Sequence, residues 1–442
     1  MAIKNFKLVD AEKPNLYREI FPYTEFPKVV FDDNTVPYDL PEDIWITDTT
    51  FRDGQQARPP YTPNQILRIY DFLHDIDGGT GLIRQCEFFL YSDRDRKAVE
   101  LCKSRDYKFP EITGWIRAVE ADFKFVTQMG LAETGILTSA SDYHIFLKLR
   151  KTREQAMNGY LDVVKAALGN GVIPRCHFED VTRADYEGFV LPFARELMKL
   201  AEQYGSPVKI RLCDTLGFGI AWKGVSLPRS VPKLISGMRQ VGVPAEWLEW
   251  HGHNDFHKVQ DNAAVAWLHG CCAANSSIFG VGERTGNPPL EAMVVEHAQI
   301  KGMIEGVNYA AITELAEYAQ KELGFSIPNN YPLVGEAFNV TRAGIHADGL
   351  LKNEEIYNCF DTEKLLNRPV GVAITDKSGL AGIKHWIESR FDITIAKHDP
   401  RVEKLKDKID VEYSDSRVSA ISDEEMTAWV KEVFDNNLPS MR

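Results

Sequence analysis

From residue 43 to about residue 325, short apolar runs alternate with amphipathic helical ones, and the alternation repeats eight times. DIWITD, RQCEFFL, EITGWIR, ETGILTS, IPRCHFE, VKIRLCD, LEWHGH and SSIFGVG read as strands, while NQILRIYDFLHDI, REQAMNGYLDVVKAALGNG and VQDNAAVAWLHGC carry the helical period between them. A chain that repeats strand and helix so often either closes into a (β/α)8 TIM barrel or opens into a doubly wound sheet. The strand ends favour the barrel. Asp48, Glu87, Arg117, Ser139, Glu179, Asp214, His251 and His253 all fall at or near the C-terminal end of an apolar run. Charges there are costly unless they are paired, metal-bound or catalytic. A closed barrel gathers such ends at one mouth, where barrel enzymes keep their active sites.

This reading divides the chain into an N-terminal arm (1–42), a barrel catalytic domain (43–325) and a smaller, mainly helical C-terminal region (326–442). The arm is rich in proline, aspartate and aromatics, as in PNLYREIFPYTEFPKVVFDD. The formal net charge of −13 argues against a broad nucleic-acid surface. No apolar run is long enough for a membrane span, and MAIKNFKLVDAEKPN lacks a signal core. Seven cysteines without a CxxC pair read as buried, reduced thiols. A cytoplasmic protein is the expectation.

The chemistry concentrates in a few stretches. In EWHGHNDFH, His251 and His253 alternate by two at a strand end, so both imidazoles face one side. Alone, such a pair is more often a hydrogen-bonded part of a core. Asp53, just past the first strand, changes the balance, because two histidines and a carboxylate suffice for a divalent metal with open positions. Mn2+, Co2+, Mg2+ and Zn2+ all suit this donor set. Arg52 beside it can stabilise a developing negative oxygen, or simply form a salt bridge. His177 and Glu179 share a strand face in HFEDVTR. Thr215 in LCDTLGF can hold a substrate carboxylate or cap the next helix. GVGERTGN follows the last strand and offers Gly282, Glu283 and Arg284, in a place where barrels often bind phosphates.

DTTFRDGQQ, EDVTR, CDTLGF, HGHND, GVGERTGN and AGIHADGLLK occur in the order seen in the DRE-TIM metallolyases. The chain resembles their Claisen-type acyl-CoA synthase branch, which holds isopropylmalate, homocitrate and Re-type citrate synthases. The resemblance spans residues 43–390 and implies metal ligation by Asp53, His251 and His253, with Asn287 as a further ligand. It favours Mn2+ or Co2+. It assigns Arg52 and Gln56 to the 2-oxo acid and Thr215 to its carboxylate. Acetyl-CoA is the implied co-substrate, with Gly282, Glu283 and Arg284 as its contacts. His346, with Tyr357 near it, resembles a catalytic histidine supplied by a partner subunit, and Glu179 resembles its acidic associate. A homodimer with a shared active site follows.

Departures narrow the branch. EFFLYSDRDR replaces the EVGFP-like stretch of isopropylmalate synthases, no leucine-sensing domain follows, and the N-terminal arm is long. Together these resemble the Re-type citrate synthases, whose oxo acid is oxaloacetate. Arg94, Arg96 and Arg117 then become candidates for its second carboxylate. A lyase of the superfamily would carry a cysteine in the loop after the last strand, where FGVGERTGN has none. A biotin carboxyltransferase would need a carrier domain, and a non-catalytic scaffold would not need Arg52, Glu179 and His346.

Overall fold

The computed structural model describes residues 3–25, 27–342, 344–391, 393–414, 417–434 and 438. Eight parallel strands close into a barrel: β1 Trp45–Asp48, β2 Ile83–Phe89, β3 Glu111–Arg117, β4 Glu133–Ser139, β5 Ile173–Glu179, β6 Lys209–Asp214, β7 Leu248–Gly252 and β8 Ala273–Ser276. β1 pairs with β8 from Trp45↔Ala273 to Asp48↔Ser276, which closes the ring. Helices α1 Pro63–Asp77, α2 Asp93–Lys103, α3 Phe123–Gln128, α4 Arg153–Gly169, α5 Leu191–Tyr204, α6 Val231–Gln240, α7 Val259–Leu268 and α8 Leu290–Lys301 alternate with the strands. Capping boxes start α1 (Thr62, Gln65), α2 (Ser92, Asp95) and α4 (Thr152, Gln155), satisfying amides that the helix itself leaves free.

One strand lies earlier than the sequence pattern places it. SSIFGVG is not the eighth strand; the small residues AANS are. Ile278–Gly280 forms a 3-10 turn, with Phe279 at φ 51° and Gly280 at φ 68°. That left-handed backbone cannot continue a strand.

The barrel interior is unusually polar. Strands buried on both faces ordinarily read as continuous apolar runs. Here Gln85 and Glu87, Arg175 and His177, Arg211, and Glu249 and His251 recur at strand alternation and are buried, while Cys86, Phe88, Phe178, Leu212 and Trp250 are buried at the intervening positions. Arg211 Nε lies 2.6 Å from Glu249 Oε2 and its NH1 lies 2.9 Å from Glu87 Oε2. Arg175 pairs with Glu133 and, at 3.3 Å, with Glu249. Lys209 reaches Glu133 at 2.6 Å. Gly135 is required for this crowding, because a Cβ there would meet His177 Nε2 at 2.5 Å.

Contacts divide the chain into Met1–Asn308 and Tyr309–Arg442. The second unit holds α9 Ala310–Leu323, a two-stranded sheet of β9 Val340–Thr341 and β10 Gly371–Val372, and helices α10 Gly344–Lys352, α11 Thr362–Leu366, α12 Leu380–Arg390, α13 Pro400–Ser414 and α14 Asp423–Val433. Ile383, Trp386, Phe391, Leu405, Met426 and Val430 belong to its apolar core. α9 therefore belongs to this unit, although the sequence texture changes only after it. Six of the seven cysteines are buried, Cys359 is exposed, and all are free.

Candidate active site

Asp53, His251 and His253 meet at the C-terminal mouth of the barrel. All three are buried, and one ligand atom from each lies within 4.8 Å of the others. Nε2 of His251 is 3.3 Å and Nε2 of His253 is 3.5 Å from Asp53 Oδ2. The Oδ1 of Asn275 lies 2.7 Å from His251 Nδ1, and Asn275 Nδ2 donates to Thr47 Oγ1 at 2.8 Å. With its amide oriented by Thr47, Asn275 accepts the Nδ1–H of His251, which leaves Nε2 with a lone pair aimed at the Asp53 carboxylate. The His251 lone pair and the carboxylate it faces repel unless a cation sits between them. The donor set thus fits a divalent metal. Burial and neighbouring His251 push the His253 pKa down to about 4, so the imidazole is neutral and competent as a ligand. Burial disfavours the Asp53 anion, but Arg52, with His251 and His253, outweighs it and holds the carboxyl well below the ordinary range.

Two loops complete this side. The Glu283 amide donates to Asp53 Oδ1 at 3.0 Å. Asn287 Nδ2 donates to Gly252 O at 3.1 Å and lies 3.5 Å from Asp53 Oδ2, while its buried Oδ1 has no partner among the described residues. Gly286, at φ 83°, lets the loop fold onto Gly280, where a Cβ would stand 1.8 Å from the Gly280 oxygen. Gly282 is buried in the same turn. The Arg284 side chain pairs with Asp255 at 3.0 Å and bonds the Thr215 carbonyl, tying the loops after β6, β7 and β8 together. Arg52 lies 3.5 Å from Asp53 through NH1 and 2.8 Å from Glu87 Oε2 through Nε. Its guanidinium carbon stands 5.9 Å from the Trp115 ring. Arg52 is therefore paired, as the salt-bridge reading expects, and it also borders the Asp53–His251–His253 cluster.

Across the mouth stands Glu179. His144 Nδ1 lies 3.0 Å and Lys148 Nζ 3.2 Å from its Oε2, and the Ser139 hydroxyl also donates to it. Burial opposes ionisation of Glu179, but His144, Ser139 and Lys148 prevail and bring its pKa down to about 2. Thr215 Oγ1 accepts the Asp180 amide at 2.8 Å. Asp214 accepts the amides of Phe218 and Gly219 and the Thr182 hydroxyl, so it shapes the loop after β6.

Gln56 is exposed at the end of the turn Gly54–Gln56. Arg94 donates to the carbonyls of Tyr61 and Pro60, both at 2.8 Å. Arg96 donates to those of Leu90 and Tyr91 and pairs with Asp93. Arg117 pairs with Asp122 at 2.9 Å, and its side chain is 62% exposed. In the second unit, the rings of His346 and Tyr357 stand 4.3 Å apart, and both side chains are exposed.

Four residues escaped the sequence reading. Asn275 sat in a run not taken for a strand. Glu87 was seen only as a strand end, not as the group joining Arg52, Arg211 and His177. His144 and Lys148, four apart after a strand end, carried a signal that a one-face count would have caught.

Residues 43–318 match the family model described as HMGL-like. The chain is 52% identical over 435 residues to the citrate (Re)-synthase of Clostridium kluyveri, covering 97% of this chain and 96% of that one. It is 54% identical over 431 residues to the citrate (Re)-synthase of Syntrophus aciditrophicus, covering 96% of this chain and 68% of that one. Among solved structures, hydroxymethylglutaryl-CoA lyase from Pseudomonas aeruginosa superposes with a TM-score of 0.53 at 20% identity, covering 65% of this chain and 95% of that one. That likeness speaks for the barrel. The family match and the near-full-length relatives lead to one statement: this chain belongs to the HMGL-like family.

Proposed function

We propose that this chain is a condensing enzyme that joins the acetyl methyl carbon of acetyl-CoA to the ketone of oxaloacetate, after which water cleaves the thioester to give citrate and free CoA. The observation that carries the reaction class is the buried Asp53–His251–His253 cluster with Arg52 at its edge. The choice of oxaloacetate rests on the relatives named citrate (Re)-synthase at 52% and 54% identity.

Asp53, His251 and His253 would hold a divalent cation, Mn2+ or Co2+ in this reading, which would supply Lewis-acid polarisation of the ketone. Arg52 faces the oxygen on which negative charge gathers, and its bond to Glu87 fixes the guanidinium in advance of the reaction. Thr215 and Gln56 meet the oxo acid. The loop of Gly282, Glu283 and Arg284 borders acetyl-CoA, and Asn287 lends its unpartnered oxygen to the metal side. His346 removes a methyl proton from acetyl-CoA, with Tyr357 beside it and Glu179 as its acidic associate. The exposure of His346 and Tyr357 on the second unit supports their delivery to a partner's barrel, hence a homodimer with shared sites.

Thiol release from acetyl-CoA, run in parallel with oxaloacetate, 2-oxoglutarate, 2-oxoisovalerate and pyruvate, tests the reading. Oxaloacetate should win. Preference for 2-oxoglutarate would make the chain a homocitrate synthase, and preference for 2-oxoisovalerate an isopropylmalate synthase.

A further inference from the structure

The turn after β4, Tyr143–Lys148, supplies both nitrogen partners of Glu179: His144 at 3.0 Å and Lys148 at 3.2 Å. The residues just ahead of His144 are fixed from an unexpected direction. The Asn15 amide, in the N-terminal arm, donates to Asp142 Oδ2 at 2.8 Å. The Tyr143 hydroxyl donates to the Leu16 carbonyl at 2.5 Å. Buried Arg153 holds Asp142 through Nε and NH2 at 2.9 and 2.8 Å, while its NH1 takes the Val9 carbonyl at 2.8 Å and Asp185 at 2.7 Å. Arg183 lies over the Tyr143 ring at 3.9 Å. Further along, Ile20 and Phe21 of the arm are buried, and Phe21 packs on Phe218 in the loop after β6 at 4.9 Å. The arm therefore straps the loops that carry His144 and Thr215.

We propose that His144 is a positioning residue that aims the Glu179 carboxylate, and that the N-terminal arm, through Asn15 and Leu16, sets His144. This rests on the reading that Glu179 serves the proton transfer. His144 donates Nδ1–H to Glu179, so the carboxylate loses one of its orienting bonds when the turn shifts. The arm acts at one remove, by fixing Asp142 and Tyr143 on the N-terminal side of His144. It adds no group of its own to the reaction.

A double-mutant cycle tests this on the intact chain, with thermal melts confirming that every variant is folded. His144→Ala should lower kcat about 10–100-fold, the range for partners that orient a working group, with the oxo-acid KM little changed. His144→Asn, which keeps an N–H near the Nδ1 position, should recover most of that loss. Tyr143→Phe and Asn15→Pro should each lower kcat about fivefold, the scale of one neutral hydrogen bond. Combined with His144→Ala, neither should lower it further, because their effect runs through His144. Losses that multiply, or wild-type kcat in His144→Ala, would overturn the proposal. Glu179→Gln separates the two levels. If it is inactive while His144→Ala is not impaired, only the positioning role fails. If Glu179→Gln turns over normally, both fail.

Discussion

The lower barrel and the barrel mouth are built from the same residue types and use them differently. Below, Glu87, Glu133 and Glu249 each face arginine or lysine nitrogens at ion-pair distance, and Arg175 and Arg211 are spent on them. Burial opposes ionisation of Glu249, yet Arg175 and Arg211 hold its pKa down to about 2. At the mouth, two imidazole Nε2 atoms converge on Asp53 beside Arg52, and Asn287 Oδ1 has no partner among the described residues. Paired buried charge is architecture; buried donors converging on one point are a binding site. Glu87 belongs to both regions. Arg211 and Arg52 overcome its burial and keep it ionised, and through Arg52 it transmits the rigidity of the lower cluster to the mouth.

The largest effect expected is on turnover. His346→Ala should abolish it while leaving metal content intact, and should stop exchange of the acetyl methyl protons into deuterated water in the presence of an unreactive oxo-acid analogue. Exchange at the wild-type rate would place the base elsewhere. Mixing inactive His346→Ala with inactive Arg52→Ala subunits should restore one working site per mixed dimer. No recovery after verified subunit exchange would count against a shared site.

Next comes stability. Arg211→Met leaves Glu87 and Glu249 short of a partner and should cost about 3–5 kcal/mol in denaturant unfolding. With a chelator present, Asp53→Ala should melt no lower than wild type, because function rather than stability keeps Asp53 there. Equal losses for the two variants would erase the distinction between the regions.

Asp48 sharpens it further. Among the described residues this buried carboxyl has only Thr50 as hydrogen-bond partner, and burial raises its pKa to about 7. A folded-state pKa above the ordinary carboxylate value means stability that is full below about pH 4 and is lost as pH rises through 7. The melting temperature should therefore carry a decline between about pH 4 and 7 that Asp48→Asn flattens. An unchanged pH profile in that variant would show Asp48 to be ionised and matched.

The smallest effect concerns the arginines proposed for the second carboxylate of oxaloacetate. Arg94 and Arg96 are committed to backbone carbonyls, whereas Arg117 has a single acidic partner and an exposed side chain. If Arg117 meets substrate, Arg117→Ala should narrow the preference for oxaloacetate over 2-oxoisovalerate about tenfold or more. A surface pair with Asp122 alone would leave the ratio unchanged.

The barrel and its metal cluster were legible because each leaves a local trace: strand–helix alternation, H-x-H at a strand end, and an aspartate after the first strand. β8 was misplaced because its small residues AANS lack the branched side chains that announce a strand. The lower charge cluster was hidden for a different reason. Gln85, Arg175, Arg211 and Glu249 look like interruptions of apolar runs, and only closure of the barrel turns them toward one another. The arm had no periodicity to read; its bonds to Asp142 and Tyr143 span 127 residues.

The claim that the mouth is a metal centre while the lower cluster is structural is tested most directly by elemental analysis of purified chains. Wild type and Arg211→Met should each carry one divalent ion per folded chain, and Asp53→Ala should carry none. A full complement of metal in Asp53→Ala would contradict the account.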